Sequence, residues 1–252
     1  MIEMRLSNWT FICSAAMAVV AMPAQASLIS WGNATQISGA SNISTTGSLF
    51  QAIGFASSIS HTINGVTFDA ALVGAIAPTW GNVSFDERPA MYGQFLSQAG
   101  STATTGNASY DAMLESGVYE IGDHGSDAIS IDHLVAGTSY EIQFWSNDSR
   151  NISGVAGNVI SFTEQGSGVV ATVPQNDGTR GTLGSYITGT FVSDGTVLTF
   201  DAGSWEGGCY RLNAMQIRTV PEPSTLGLLL GMGLLATRRR QSNAGSEKGL
   251  SE

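Results

Sequence analysis

The chain has 252 residues, 42% of them hydrophobic, and 20 Asp plus Glu against 10 Lys plus Arg, for a formal net charge of −10. Between Ser27 and Val220 the imbalance is sharper: 16 acidic residues face five Arg and no Lys. Affinity for phosphate needs clustered positive charge, so nucleic acid and anionic membrane are not expected partners of this stretch.

In chain order, the first element is a signal sequence. Arg5 lies in a short n-region, Trp9 to Met22 is largely apolar, and Ala24-Gln25-Ala26 fits the small-x-small cleavage pattern. Cleavage after Ala26 gives a mature start at Ser27, with the Sec translocon and signal peptidase as implied partners. Ile12 precedes Cys13 where a lipoprotein signal needs a small residue, so lipidation is not expected. Once the signal is removed, Cys209 has no cysteine to pair with, and the expectation is a buried, inert thiol.

Residues 27–219 suit one domain with a sizeable core. Ser38 to Thr46 reads as a polar loop. Ile63 to Phe68 and Ala128 to His133 alternate apolar and polar residues, as half-buried strands do. Pro89 to Ser97 suggests a weak helical turn. Asn107 or Ser109 can cap a helix over Tyr110 to Glu115, with Gly117 as its stop and Tyr110, Met113 and Leu114 facing a sheet. In Thr138 to Ser146, Tyr140, Ile142 and Phe144 point one way, and Glu141, Gln143 and Trp145 the other. Asn158 to Glu164 and Gly168 to Val173 form a candidate hairpin. Ser185 to Val192 and Thr196 to Phe200 flank the tight-turn signal Ser193-Asp194-Gly195. Tyr210 to Thr219 supplies a last strand. Strands spaced by turn signals predict a mainly β fold, a single antiparallel β-sandwich with one short helix.

The chain closes with Val220-Pro221-Glu222-Pro223-Ser224, an apolar run to Thr237, the cluster Arg238-Arg239-Arg240, and a polar tail over 241–252. From Ser224 to Thr237 a helix spans about 21 Å, short against a bilayer core of about 30 Å. The arginines stay cytoplasmic under the positive-inside rule, which places residues before Pro221 outside the inner membrane. The two prolines cannot continue a helix from upstream, so the Pro-Glu-Pro stretch is expected to be extended and accessible.

This order of polar signature, apolar run and basic cluster resembles the PEP-CTERM sorting signal, also catalogued as an ice-binding protein C-terminal domain. The resemblance implies processing by an exosortase-type membrane protease. It implies export across the inner membrane, transient anchoring by the C-terminal helix, then a cell-surface or extracellular location. The polar tail departs from the pattern, since such chains usually stop soon after the basic cluster. Ice binding itself is not expected, as there is no regular Thr-x-Thr ladder. Ile29 to Gly32, Ile63 to Phe68, Leu134 to Trp145 with Asn147 to Arg150, Gly189 to Asp194, and Leu212 to Arg218 resemble envelope proteins with a galactose-binding-like, jelly-roll body.

Motifs for catalysis are missing from the sequence: no Gly-x-Ser-x-Gly elbow, no His-Glu-x-x-His and no phosphate-binding glycine loop. His61, His124 and His133 are scattered, and no metal or other cofactor is expected. Glu120, Glu141 and Glu206 are the carboxylates a polysaccharide hydrolase would draw on. Gly122 to Asp127 offers oxygen ligands for calcium without EF-hand spacing. The sharper expectation is carbohydrate binding by aromatic stacking and polar orientation. Its candidate residues are Glu141, Gln143, Trp145, Asp148 and Arg150, with Trp205 and Arg211 in a second cluster beside Glu206. The favoured competing expectation is that Trp145 is covered by a neighbouring loop and that Asp148–Arg150 is a structural ion pair. A non-enzymatic envelope or matrix protein engaging exopolysaccharide leads, ahead of a secreted polysaccharide hydrolase. A purely structural, self-associating surface protein is not separable from it by sequence.

Overall fold

The computed structural model describes residues 28–72, 78–87, 89–119, 127–204 and 210–221. The expected signal helix, the apolar C-terminal helix, the Gly122–Ser126 part of the calcium loop, and Glu120, His124, Trp205, Glu206 and Cys209 lie outside them.

The described residues begin with β1 (Ser30–Trp31), β2 (Thr35–Gln36), β3 (Ser48–Phe55), β4 (His61–Ile63) and β5 (Val66–Ala71). β6 (Thr79–Trp80), β7 (Val83–Phe85) and β8 (Ala90–Tyr92) precede the helix α1 (Ala108–Glu115). Next come β9 (Gly117–Tyr119), β10 (Asp127–Ile131), β11 (Ser139–Ser146), β12 (Val159–Glu164) and β13 (Val170–Pro174). β14 (Ser185–Val192), β15 (Leu198–Ser204), β16 (Arg211–Leu212) and β17 (Ala214–Thr219) complete the body.

These strands form an eight-stranded sheet in the order β1-β14-β11-β17-β3-β5-β4, with β2 attached to β14. A six-stranded sheet, β13-β12-β15-β10-β7-β6, packs against it, and β16-β9-β8 make a small third sheet. Among the described residues the architecture is the expected mainly β sandwich with one α-helix.

Alternation along β11 sets the packing. Tyr140, Ile142 and Phe144 enter the core between the two large sheets, where they join Ile160, Phe162 and Phe200. Phe144 stacks on Phe162 with ring centroids 4.1 Å apart. Burying each such side chain contributes about 1.5–3 kcal/mol. Gly189 on β14 is required here, because a Cβ would stand 2.6 Å from the Trp31 ring packed over it.

The opposite face of the eight-stranded sheet is also covered. Tyr110, Met113 and Leu114 of α1 pack with Phe68, Trp145 and Ala214 into a second core. The helix starts where expected: the Asn107 side chain accepts a hydrogen bond from the Tyr110 N–H at 3.0 Å.

Several local expectations are corrected. Ile63 to Phe68 is not one strand but a hairpin, β4 paired with β5, turning at Asn64-Gly65 with φ of 49° and 77°. Asn-Gly suits a two-residue turn that needs positive φ at both positions. β3 and β5 pair in parallel, so the sandwich is not wholly antiparallel. The Pro89 to Ser97 region carries β8, and helical character appears only just past its end, where a 3-10 turn runs over Gln98–Gly100. Gly117 begins β9 instead of capping α1; a Cβ there would meet the Leu212 carbonyl at 2.9 Å. The Ser193-Asp194-Gly195 turn joins β14 to β15, which lie in different sheets.

Tyr210 to Thr219 is split at Asn213, whose side chain ties three segments together. Its Oδ1 accepts from the Asn147 N–H at 2.6 Å, and its Nδ2 donates to the carbonyls of Leu114 and Ser116 at 2.9 Å each. The expected β12–β13 hairpin is present, with Val159 opposite Pro174.

Candidate functional site

β11 distributes the sequence-derived candidates along the length of the sheet. Glu141 is half-buried and stands opposite Arg218 of β17, while Gln143 stands opposite Gln216. Gln143 is buried and uses its amide fully. Its Nε2 donates to the Asn42 carbonyl at 3.2 Å and to Thr188 Oγ1 at 2.9 Å. Its Oε1 accepts from the Ser44 N–H at 3.0 Å and from Gln216 Nε2. An amide offers two donors and two acceptor lone pairs, so none is left for a ligand. Gln216 Nε2 also donates to the Ser44 carbonyl at 3.1 Å, and Arg218 Nε donates to the Thr46 carbonyl at 2.6 Å. These polar side chains fasten residues 42–47 over the sheet.

Trp145 is 0% exposed. Phe68 meets it edge-on at 5.6 Å, and Tyr186 stacks at 6.2 Å. The ring therefore has no open face for a sugar. The polar side of the strand is covered, at Trp145 by α1 and by Phe68 of β5 rather than by the expected loop.

Asp148, Arg150 and Arg211 are brought together just beyond the end of β11. Asp148 is fully buried and takes a two-pronged contact from Arg150, with Nε and Nη2 each donating at 2.7 Å. Arg211 Nε lies 2.8 Å from the second carboxylate oxygen. The charged Asp148 partner raises the Arg150 pKa above its ordinary value. Two guanidinium groups around one carboxylate leave a local net charge of +1 in a strongly acidic body. The predicted Asp148–Arg150 pair is thus a buried triad.

Sequence reasoning missed the aromatic floor beneath it. Arg150 lies over the Tyr92 and Phe95 rings at 5.1 and 5.3 Å, and Arg211 over Phe95 at 5.8 Å. Tyr92 and Tyr119 are half-buried with centroids 6.2 Å apart. Pairing of β8 with β9 places Tyr92 opposite Gly117 and Ala90 opposite Tyr119. The only sequence signal was the run of Tyr92, Phe95 and Tyr119 around a stretch read as helical. Cations over aromatic faces contribute about 0.5–2 kcal/mol and fix the guanidinium plane. Arg150, Tyr92 and Tyr119 thus form a partly open aromatic and cationic cluster, whereas Glu141, Gln143 and Trp145 do not join it.

Of the histidines, His61 and His133 are described, and neither joins this cluster. His61 is buried with Nε2 2.9 Å from Ser57 Oγ, and burial lowers its pKa. His133 is exposed beyond β10. Asp127 is buried and accepts a hydrogen bond from the Tyr210 hydroxyl; burial raises its pKa. Among the described residues, no helix is long and apolar enough to cross a membrane.

Comparisons with known proteins add an address. No curated protein sequence matches the chain. Among solved structures, a Bacteroides uniformis β-glucuronidase superposes with a TM-score of 0.46 and 15% identity, over 68% of this chain and 18% of that one. The CBM22-1 xylan-binding domain from Paenibacillus barcinonensis superposes with a TM-score of 0.36 and 13% identity, over 71% of this chain and 98% of that one. Residues 219–241 match the PEP-CTERM protein-sorting motif. The chain thus carries, directly after its last strand, the sorting motif of exported proteins bound for the cell envelope.

Proposed function

We propose that this protein is an exported, exosortase-processed envelope or matrix protein whose body, residues 27–219, binds polysaccharide without catalysis. The observation that carries the export part is the sorting motif at 219–241, which begins where β17 ends. In this reading residues 1–26 are removed by signal peptidase after Sec export. Residues 220–240 hold the chain transiently in the inner membrane through the apolar helix, until the protease acts at the Pro-Glu-Pro signature.

The binding part is supported by the cluster of Arg150, Tyr92 and Tyr119. Half-buried aromatic rings beside a fixed guanidinium suit a sugar ring that carries a carboxylate or several hydroxyl groups. The site therefore moves from the face of β11 to the aromatic edge of the small sheet.

Affinity electrophoresis of the envelope-extracted protein against neutral and uronate-containing polysaccharides tests it. Retardation should be lost in Tyr92→Ala and Tyr119→Ala with melting kept within a few degrees. Equal retardation of these variants and the parent would contradict the site. Release of oligosaccharides during the same incubation would instead mark a hydrolase, and neither retardation nor release would leave a structural surface protein.

A further inference from the structure

The two ends of the described body meet in one groove of about 280 Å³, where Leu28 and Val220 lie beside Tyr140, Phe191 and Val192. The Val220 N–H donates to the Ser139 carbonyl at 2.9 Å, and Ser139 pairs with Val192 across β11 and β14. Gly47 seals the same end: its φ is +65°, and a Cβ there would stand 1.8 Å from the Thr219 carbonyl.

Leu28 and Val192 line this groove, and further exposed apolar side chains stand at the same end of the strands. Leu28, Leu49, Val135, Val192 and Val197 are 64, 42, 61, 53 and 49% exposed. They are five of the nine large apolar side chains exposed among the described residues, so the end is enriched rather than typical. Leu49 pairs with Arg218 near the exit of β17, and Val135 belongs to the turn bonded to Ser193.

The sequence ties this end closely to both apolar runs. Thr225 is five Cα steps from Val220, at most about 18 Å of chain. Met22 is six steps before Leu28, at most about 22 Å. We propose that this end of the sandwich is a membrane-facing surface, resting Leu28, Val135, Val192 and Val197 on the bilayer while the sorting segment is inserted. The inference rests on the anchoring reading above.

Shallow apolar contacts are weak individually, but a short tether holds them at high effective concentration. Asp132 and Asp194 stand at the same end, so zwitterionic lipid is the surface that fits and anionic lipid is disfavoured. The opposite end lies along β11, whose eight residues span roughly 23 Å. The Arg150 cluster sits there and faces away from the membrane.

The test uses the chain from Ser27 to Glu252 reconstituted into phosphatidylcholine vesicles, with Cys209 changed to Ser. An environment-sensitive fluorophore is placed on Val192→Cys or, at the far end, on Ile59→Cys, and quenching by spin-labelled lipid is read. Val192→Cys should be quenched several-fold more strongly than Ile59→Cys, and replacing a third of the lipid with phosphatidylglycerol should reduce the difference. Flotation of the vesicles reports anchoring separately. Protein that floats with equal quenching at both positions overturns the inference and leaves anchoring intact. Protein that does not float overturns both. Weak quenching, together with oxidant-induced disulfide crosslinking between unlabelled Val192→Cys copies, also overturns it, in favour of a self-association surface.

Discussion

Asp148 holds its place because two guanidinium groups replace the water it gave up. Removing a buried carboxylate leaves Arg211, whose side chain is 8% exposed, without its charged partner. Asp148→Ala should cost about 3–5 kcal/mol in urea unfolding; a loss below about 1 kcal/mol would mean that the triad is dispensable. His61 makes a second residue-scale prediction. Its folded pKa lies below the ordinary 6.5 because burial disfavours the imidazolium. The unfolded chain therefore binds a proton that the native chain resists, and stability is full above 6.5 and falls as pH drops below it toward the lowered folded pKa. His61→Gln should flatten the stability–pH curve in that window, and an unchanged slope would assign it to another group. The Asp148–Arg150 pair was legible because the two residues are neighbours in sequence. Arg211 was legible as a candidate but in a separate cluster with Trp205, and Tyr92 and Phe95 were not legible at all, since only pairing among β8, β9 and β16 brings them there.

Among elements, β11 explains why the carbohydrate face expected from sequence is not where the open surface lies. Its period of two assigned Tyr140, Ile142 and Phe144 to one face and Gln143 and Trp145 to the other, and both assignments hold. Alternation names a face but not what covers it. A glutamine and a tryptophan read alike whether they meet solvent, a helix or a returning loop. Here α1 covers Trp145 and residues 42–47 cover Gln143. Truncating Trp145 to Ala should cost about 3–5 kcal/mol through the cavity it leaves, with polysaccharide retardation of the surviving folded protein unchanged. Lost retardation at unchanged melting temperature would restore Trp145 as a ligand residue. Helix α1 was legible because Asn107 and the spacing of Tyr110, Met113 and Leu114 act locally. The β4–β5 hairpin was readable from Asn64-Gly65 but was hidden by alternation that continues through the turn.

On the scale of the whole molecule, antiparallel β11 and β14 place the two proposed sites at opposite ends of the sandwich. Val220 and Leu28 leave one end, and the Arg150 cluster occupies the other. A protein held by its C-terminal segment would then present the cluster outward, toward an extracellular glycan. The acidic surface adds solubility and discourages contact with phosphate-rich polymers. The sorting signature and the mainly β class were legible because one is a linear motif and the other a matter of periodicity. The placement of Leu28 and Val220 in one groove was not, because strand order depends on long-range pairing. The most direct measurement is intact mass and terminal sequencing of the protein recovered from the envelope and the medium. A chain beginning at Ser27 and lacking the Arg238-Arg239-Arg240 cluster is expected. A chain that keeps Met1 and runs through Glu252 in both fractions would contradict export processing and the function built on it.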